Sequence, residues 1–559
     1  YWVGGTGNWS STTNWSTSSG GASGAAIPTS LDAVNFNSAS NATAYTATID
    51  PTQARCAALT IAGPASGNVT IAGSGALACH GNVSFAATGI TRTYTGAITL
   101  SGSATGKTFT TNGVALASAI TVDGVGCEWT LGSALSDSNA GKTLVITNGS
   151  FNTANYAITF GAFSSSNTNS RSLSLGSSTI TIQALPTGFA TSINFTFNAG
   201  TSSVSCTNNS TFNGGGLAFY NVSFTNTSAG TVTLNGANTF NNLSVTGITA
   251  AGLKVVSVTD NQTINGTLTL SAGTDATMRT FVRSDTLGTT RTLTCAAFSG
   301  TDADFRDITI AGAAAPVSGT RLGDCKGNSG ITFGAGVSKY WNLAAGGNWS
   351  DTGWATTGGG AVAANNFPLA QDTAVFQSTG LNSGATITIN AAYNIGTIDM
   401  SARTSNTMTL ATGSTTPAIY GNWINGTGTT LTGTGYLNFS GRGSQTITSA
   451  GRTFTQPFSI DTPGGSVTLQ DAFETSRNIG GAIDVVRGTF NASTYNVTIS
   501  GANSSFASSY SNIRTVAIGS GTLLIAGTSG FVATTSTNLT VTGTGLSLIH
   551  ISEPTRRYA

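Results

Sequence analysis

The 559 residues carry 21 Lys plus Arg against 20 Asp plus Glu, only 7% charged side chains, with a formal net charge of +1 and two histidines. Ordinary soluble domains are about 25% charged, so this composition excludes a basic nucleic-acid surface, an acidic tail and the usual highly charged disordered chain. Hydrophobic residues make up 39%, yet no apolar run approaches the roughly 18 residues that cross a bilayer, and membrane insertion is not expected.

The chain opens on YWVGGTGNWSSTTNW, which puts Trp2, Trp9 and Trp15 in one Gly/Ser/Asn-rich segment. Short runs that read as strands follow: LTIAG from Leu59, VTIAG from Val69, ITLSG from Ile98, ITVDG from Ile120, WTLGS from Trp129 and ITFGA from Ile158. Each alternates Ile, Val, Leu or Phe with Thr, Ser or Asn, the period-2 pattern of a strand with one buried face. FYNVSF from Phe219 recurs as FNNLSV from Phe240, 21 residues later, and FRDITI from Phe305 echoes both. No stretch sustains a helical apolar stripe, and Glu and Lys are too rare for surface helices. The six cysteines (56, 79, 127, 206, 295, 325) contain no C-x-x-C pair and are expected to be buried thiols. His80 follows Cys79, but strand neighbours point to opposite faces, so no Cys-His dyad is expected.

A second head starts at Tyr340. YWNLAAGGNWSDTGW supplies Trp341, Trp349 and Trp354, and the offset of 340 residues between Asn8-Trp9-Ser10 and Asn348-Trp349-Ser350 repeats from Pro28/Asp32/Phe36 to Pro368/Asp372/Phe376. GSFNTANYAITF from Gly149 pairs with GTFNASTYNVTI from Gly488, and FSSSNTNSRSLSL from Phe163 with FASSYSNIRTVAI from Phe506. The chain is therefore read as one module of about 340 residues followed by a second, truncated copy. Its parent is expected to continue past Gly545 with a counterpart of residues 183–339. The last stretch, Leu546–Ala559, breaks the composition. Its residues Leu546 to Arg556 resemble the in-frame translation of a transposase-based sequencing adapter and are set aside as an artefact. Without Arg556, Arg557 and Glu553 the formal charge falls to zero.

Many short strands with Gly-rich turns fit two all-β architectures, serial β-sandwiches or a β-solenoid. Stacked coils favour uncharged Asn, Ser and Thr ladders because like charges at strand spacing repel, so an elongated right-handed parallel β-helix with two tandem modules is the expected fold, serial sandwiches the alternative. The expected divisions are a Trp-rich head (1–62), a first solenoid (63–339), a second head (340–400), a truncated second solenoid (401–545) and the artefactual tail (546–559). Roughly two dozen coils stacked end to end at about 4.8 Å each would give a rod on the order of 110 Å.

Two features are candidate sites. Trp2, Trp9, Trp15, Trp341, Trp349 and Trp354 suit a carbohydrate-binding platform, since indole faces stack on sugar rings; the competing reading is a cap over the end of each stack. Asp302, Asp304 and Asp307, with Asp324, form the densest acidic cluster and a weak Ca²⁺ candidate. A carboxylate pair acting on a glycosidic bond is a further reading, and turn capping with ion pairs to Arg306, Arg321 and Lys326 is the bland one. Otherwise no metal site, cofactor or catalytic residue is expected, and the Gly-Gly clusters lack the helix and Lys of a phosphate loop. Thr46/Thr48 and Thr386/Thr388 raise an ice-binding face, which freely changing flanking residues disfavour.

YWVGGTGNWSSTTNWS, GKTFTTNGVAL from Gly106, SGTRLGDCKGNSGITF from Ser318 and NFPLAQDTAVF from Asn366 resemble uncharacterised, repeat-rich β-helical structural proteins found in marine metagenomes and associated with tailed bacteriophages. The resemblance covers Tyr1–Gly545 and carries no catalytic motif. It implies a tail fibre-like, virion or cell-surface appendage that contacts a host surface glycan. A bacterial secreted adhesin of the same shape is the alternative, and a polysaccharide-degrading tailspike, a glycoside hydrolase or polysaccharide lyase, is the enzymatic one. Expected partners are a cell-surface glycan and further copies of the chain, as a trimer formed through segments beyond it.

Overall fold

The computed structural model describes residues 1–544, except 138, 185–186, 190–192, 272 and 528, together with the short strand Ile549–His550; the rest of the 546–559 tail lies outside the described residues. The fold is an all-β solenoid of about 21 turns. Its strands pair in parallel with the next coil, as Val34–Phe36 does with Leu59–Ile61 and these with Val83–Phe85. In the first stack three walls rise together: that one, a second beginning Tyr45–Thr48 and Val69–Ala72, and a third beginning Gln53–Cys56 and Ala76–Cys79. The long strands Ile120–Leu131 and Thr143–Asn152 bend from the third wall onto the first. The first wall ends at Phe195–Asn198, after which the chain alternates between two walls. Phe189, Phe197, Phe212 and Phe219 fill the interior there, with ring centroids 5.0 Å apart for three of their pairs.

Period-2 alternation becomes vertical columns. Ile158, Ile180, Val204, Val222, Leu243 and Leu268 stack inside one wall, one per coil. The outward neighbours Thr159, Thr181, Ser205, Ser223, Ser244 and Thr269 form a hydroxyl column beside them. Each inward Val, Leu or Ile contributes roughly 1.5–3 kcal/mol by leaving water, while the outward column adds no like-charge repulsion between coils. Coils sit so close that a Cβ on Gly161 would stand 1.9 Å from the Ala140 carbonyl oxygen. Backbone contact of this kind is why glycine recurs at the corners. Cys79 points inward and His80 outward, half-buried. All six cysteines are buried thiols, with the Sγ atoms of Cys56 and Cys79 3.6 Å apart on adjacent coils.

Several of the scarce cations are inside. Arg171 Nη2 donates to the Ser165 carbonyl (2.6 Å) and its Nη1 to those of Asn169 and Ile193 (2.8 and 3.0 Å). Arg514, its copy in the second module, likewise donates to Ser508, Asn512, Thr535 and Thr537 carbonyls. Arg403 donates to four carbonyls at 2.7–3.0 Å. Lys254 Nζ donates to the carbonyls of Asn226 and Thr246. Coil corners leave carbonyls turned inward, and a guanidinium or ammonium satisfies them while they replace its water.

Burial holds the Lys254 ammonium down to about 8, against about 10.4 in an unfolded chain. Between those values the unfolded chain binds the extra proton, so this group's contribution to stability rises with pH. Melting temperatures of the wild type and Lys254→Met, compared at pH 7 and pH 10, should therefore diverge in favour of the wild type at the higher pH. The buried thiols oppose that trend equally in both proteins and cancel in the difference; a pH-independent difference would contradict the assignment.

Each head is the first layer of its stack. Gly7–Asn8 pairs with Ala47–Thr48, and Gly347–Asn348 pairs with Ile387–Thr388, the same register 340 residues on. Sheets run on through 62 and 400 without a break; one hydrophobic core is built by residues up to Leu322 and the other by residues from Trp341 onward, with Ala276 of the first stack joining the second core.

The two stacks do not join into one rod. The wall carrying Gly252–Val258 and Met278–Ser284 presents Leu253, Val255 and Phe281 outward, where they meet Ala370, Ala418 and Tyr420 of the second stack. Tyr393 Oη donates to the Thr277 carbonyl (3.1 Å) and Gln371 Nε2 to that of Leu322 (3.0 Å). Along the first stack from Thr277 through Phe281 to Leu287, progressively later coils of the second are met at Tyr393, Tyr420 and Arg487. A strand direction of one stack thus follows the stacking axis of the other. The axes cross, and the end-to-end rod of about 110 Å expected from coil counting is replaced by two stacks packed on their sides.

Candidate functional site

All six head tryptophans are interior. Trp2, Trp9 and Trp15 are at most 1% exposed, as are Trp341, Trp349 and Trp354. Trp2 meets Trp15 edge-on at 5.1 Å, and Trp341 meets Trp354 edge-on at the same distance. Trp15 Nε1 donates to the Trp9 carbonyl (2.8 Å) and Trp354 Nε1 to that of Trp349 (2.9 Å). With no indole face reaching solvent, the sugar-platform reading gives way to the cap: the rings cover the apolar opening of the first coil, against Phe36 and Phe376.

The acidic cluster is also buried, with Asp302, Asp304 and Asp307 each 1% exposed. Arg279 stands between two of them, Nη2 2.6 Å from Asp304 Oδ1 and Nη1 3.5 Å from Asp302 Oδ1. Arg321 forms a two-pronged pair with Asp302 (2.6 and 2.7 Å), and Asn394 of the second stack donates to Asp304 Oδ2 (2.9 Å). Arg442, also from the second stack, pairs with Asp307. Asp324 pairs with Lys326 at 2.9 Å. Guanidinium groups thus hold the oxygens that a Ca²⁺ ion would need, and the weak metal candidate becomes an ion-pair network joining the stacks. The ion-pair reading holds in kind, but the Asp302, Asp304 and Asp307 carboxylates are buried, while the Asp324–Lys326 pair is part-exposed. Arg279, absent from the sequence reading, lies 23 and 25 residues before Asp302 and Asp304, one coil away.

Beside this network the two stacks enclose a cleft of about 860 Å³, within the usual range for small-ligand sites of about 300–1,000 Å³. Leu253, Val255, Phe281, Arg283 and Arg306 line one side; Asn394, Asn438, Ser440, Ser459, Asp461 and Arg487 line the other. Both sides are outward faces of parallel sheets. Ala418, Asn438, Ser459 and Asp484 succeed one another at one register position in four consecutive coils. The Arg283 guanidinium lies 5.9 Å and that of Arg306 5.4 Å from the centre of the Phe281 ring.

The cleft's charges are unevenly matched. Asp461 pairs with Arg487, Asp285 with Arg291 at 3.0 Å, and Asp307 with Arg442. Arg306 reaches Asp307 only at 3.8 Å, and among the described residues no carboxylate pairs with Arg283. Burial, reinforced by Arg306, lowers the Arg283 pKa; burial, then Arg306 and Arg487, lowers that of Arg442. Burial raises Asp461 and Asp484 above the ordinary carboxylate range, although Tyr510 donates to Asp484 Oδ2 at 2.6 Å. Sequence reasoning found none of these residues as a group, because they come together only where the stacks cross.

No protein-family model, curated protein or solved structure matches the chain.

Proposed function

We propose that this protein is a structural and adhesive appendage, phage tail fibre-like, that contacts a glycan on a host surface from the virion or the cell exterior. The observation that supports it is the cleft between the stacks, whose part-exposed Asn438 and Ser459 offer uncharged amide and hydroxyl partners beside the apolar Leu253 and Val255. Sugars are bound by that combination, hydrogen bonds to ring hydroxyls and an apolar surface against C–H faces. Solvent-facing hydroxyl columns let coil stack on coil without like-charge repulsion, which suits a repeat-built structural protein.

The tailspike reading draws on Asp461, which lines the cleft, and Asp484 on the neighbouring coil. Arg487 and Tyr510 engage them, the arrangement of held side chains, so adhesion is the reading adopted. Binding of the purified chain to an array of surface polysaccharides tests it. Retention of at least one glycan with no release of reducing ends is expected, and no retention on any would overturn it. Chain cleavage would establish the tailspike. Genes flanking the full reading frame separate the remaining pair, tail and baseplate neighbours marking a fibre and secretion genes an adhesin.

A further inference from the structure

We infer that the cleft between the stacks is an oxyanion site, in which Arg283 and Arg306 seat the carboxylate or sulfate of an acidic saccharide. Only the saccharide part rests on the adhesive reading; the oxyanion seat stands on the cleft's own geometry.

Four arginines, Arg283, Arg306, Arg442 and Arg487, converge on this region of a chain with only 21 basic residues. Arg283, Arg306 and Arg442 each have a buried Nε without a hydrogen-bond partner, whereas that of Arg487 sits against Asp461. Arg306 is 7% exposed and lines the cleft. A buried guanidinium donor left unmet is costly, and folded proteins rarely leave one. Elsewhere the caged Arg403 also keeps an unpartnered Nε, whereas every nitrogen group is met, by carbonyls and a serine hydroxyl, in Arg171 and Arg514. Those two are enclosed at coil corners, whereas Arg283 and Arg306 face an open volume.

Register explains the pairing. Arg283 and Arg306 occupy equivalent positions on adjacent coils of one wall, so two like charges stand at strand spacing, an arrangement that no other strand pairing among the described residues repeats. Repulsion between them is relieved by an anion placed across both, and a planar guanidinium pair offers parallel N–H donors to a two-oxygen group. Phe281 beneath them fixes both side chains through ring contacts. Across the cleft, Asn438, Ser440 and Ser459 present neutral donors and acceptors, and the one carboxylate on that side, Asp461, is already paired with Arg487. That favours an anion carried on a polyhydroxylated body over a densely charged polymer such as nucleic acid.

Calorimetric titration of the full chain tests this with five probes: inorganic sulfate, a tetra-uronate, its neutral methyl ester, a sulfated tetrasaccharide and its unsulfated parent. At least one acidic saccharide should bind about tenfold or more tightly than its neutral partner, lose about tenfold in Arg283→Gln, and be displaced by inorganic sulfate. The tetra-uronate and sulfated arms identify which oxyanion is seated. Arg306→Gln should act likewise; because Arg306 is buried, its fold is checked by circular dichroism, and the half-buried Arg283 keeps the test decisive if that variant misfolds. Equal binding of acidic and neutral saccharides would overturn the oxyanion seat while leaving the glycan reading intact. Sulfate binding that Arg283→Gln abolishes, with no saccharide bound, would support the seat and defeat the glycan reading. Absence of binding by all five would overturn the inference.

Discussion

Arg279→Met should destabilise the protein by about 3–5 kcal/mol, the cost of leaving buried carboxylates without their counter-charge. Arg279 is 2% exposed and bonds Asp304 through both Nε (2.9 Å) and Nη2 (2.6 Å), with Nη2 also donating to the Arg321 carbonyl at 2.8 Å. Methionine fills similar volume but offers no donor, so Asp304 would retain only Asn394. Because Asn394 belongs to the second stack, the loss should appear in the transition that separates the stacks as well as in the unfolding of the first. Denaturant unfolding followed by fluorescence and by hydrodynamic radius reads both. Adding Asp302→Asn and Asp304→Asn to the variant should recover much of the loss, because neutral amides need no counter-charge. A cost below about 1 kcal/mol for the single change would contradict the network.

Trp354→Ala should cost about 3–5 kcal/mol, as for other large aromatic truncations in a packed interior. Trp354 touches three rings, Trp341 at 5.1 Å, Trp349 at 4.9 Å and Phe376 at 5.6 Å, and its indole N–H closes the head on the Trp349 carbonyl. Removing it opens the first coil, whose strands then present unpaired edges, so aggregation should accompany the loss of stability. Thermal unfolding and light scattering measure the two effects. Unchanged stability with lost glycan binding would reinstate the sugar-platform reading of these residues.

The local order of this molecule was legible because a solenoid writes its contacts at a fixed sequence distance. FYNVSF and FNNLSV, 21 residues apart, are adjacent rungs, with Val222 beside Leu243 and Phe224 beside Val245. The longer repeat was legible for the same reason: Arg171 and Arg514 recur because both satisfy the same corner carbonyls. What escaped was the contact set that no period connects. Asn394 meets Asp304 across 90 residues and Arg442 meets Asp307 across 135; neither distance is a multiple that one coil or one module imposes. The acidic cluster was visible as a cluster, yet its meaning depended on Arg279 one coil earlier and on a second stack crossing from the side. The tryptophans were visible too, and composition alone gave no way to tell a ring that faces a ligand from one that closes an end.

The carbonyl cages around Arg171, Arg403 and Arg514 also bear on how the protein responds to dissolved ions. Salt weakens exposed charge pairs by surrounding each partner with counter-ions, and at physiological strength this acts over about 8 Å of solution. A guanidinium enclosed by backbone oxygens has no exposed partner for those ions to compete with. The outward columns of Thr and Ser carry no charge for screening to act on. Cohesion within the stacks is thus largely decoupled from ionic strength, while the arginine-rich cleft and part-exposed pairs such as Asp324–Lys326 are where the salinity of the medium is felt.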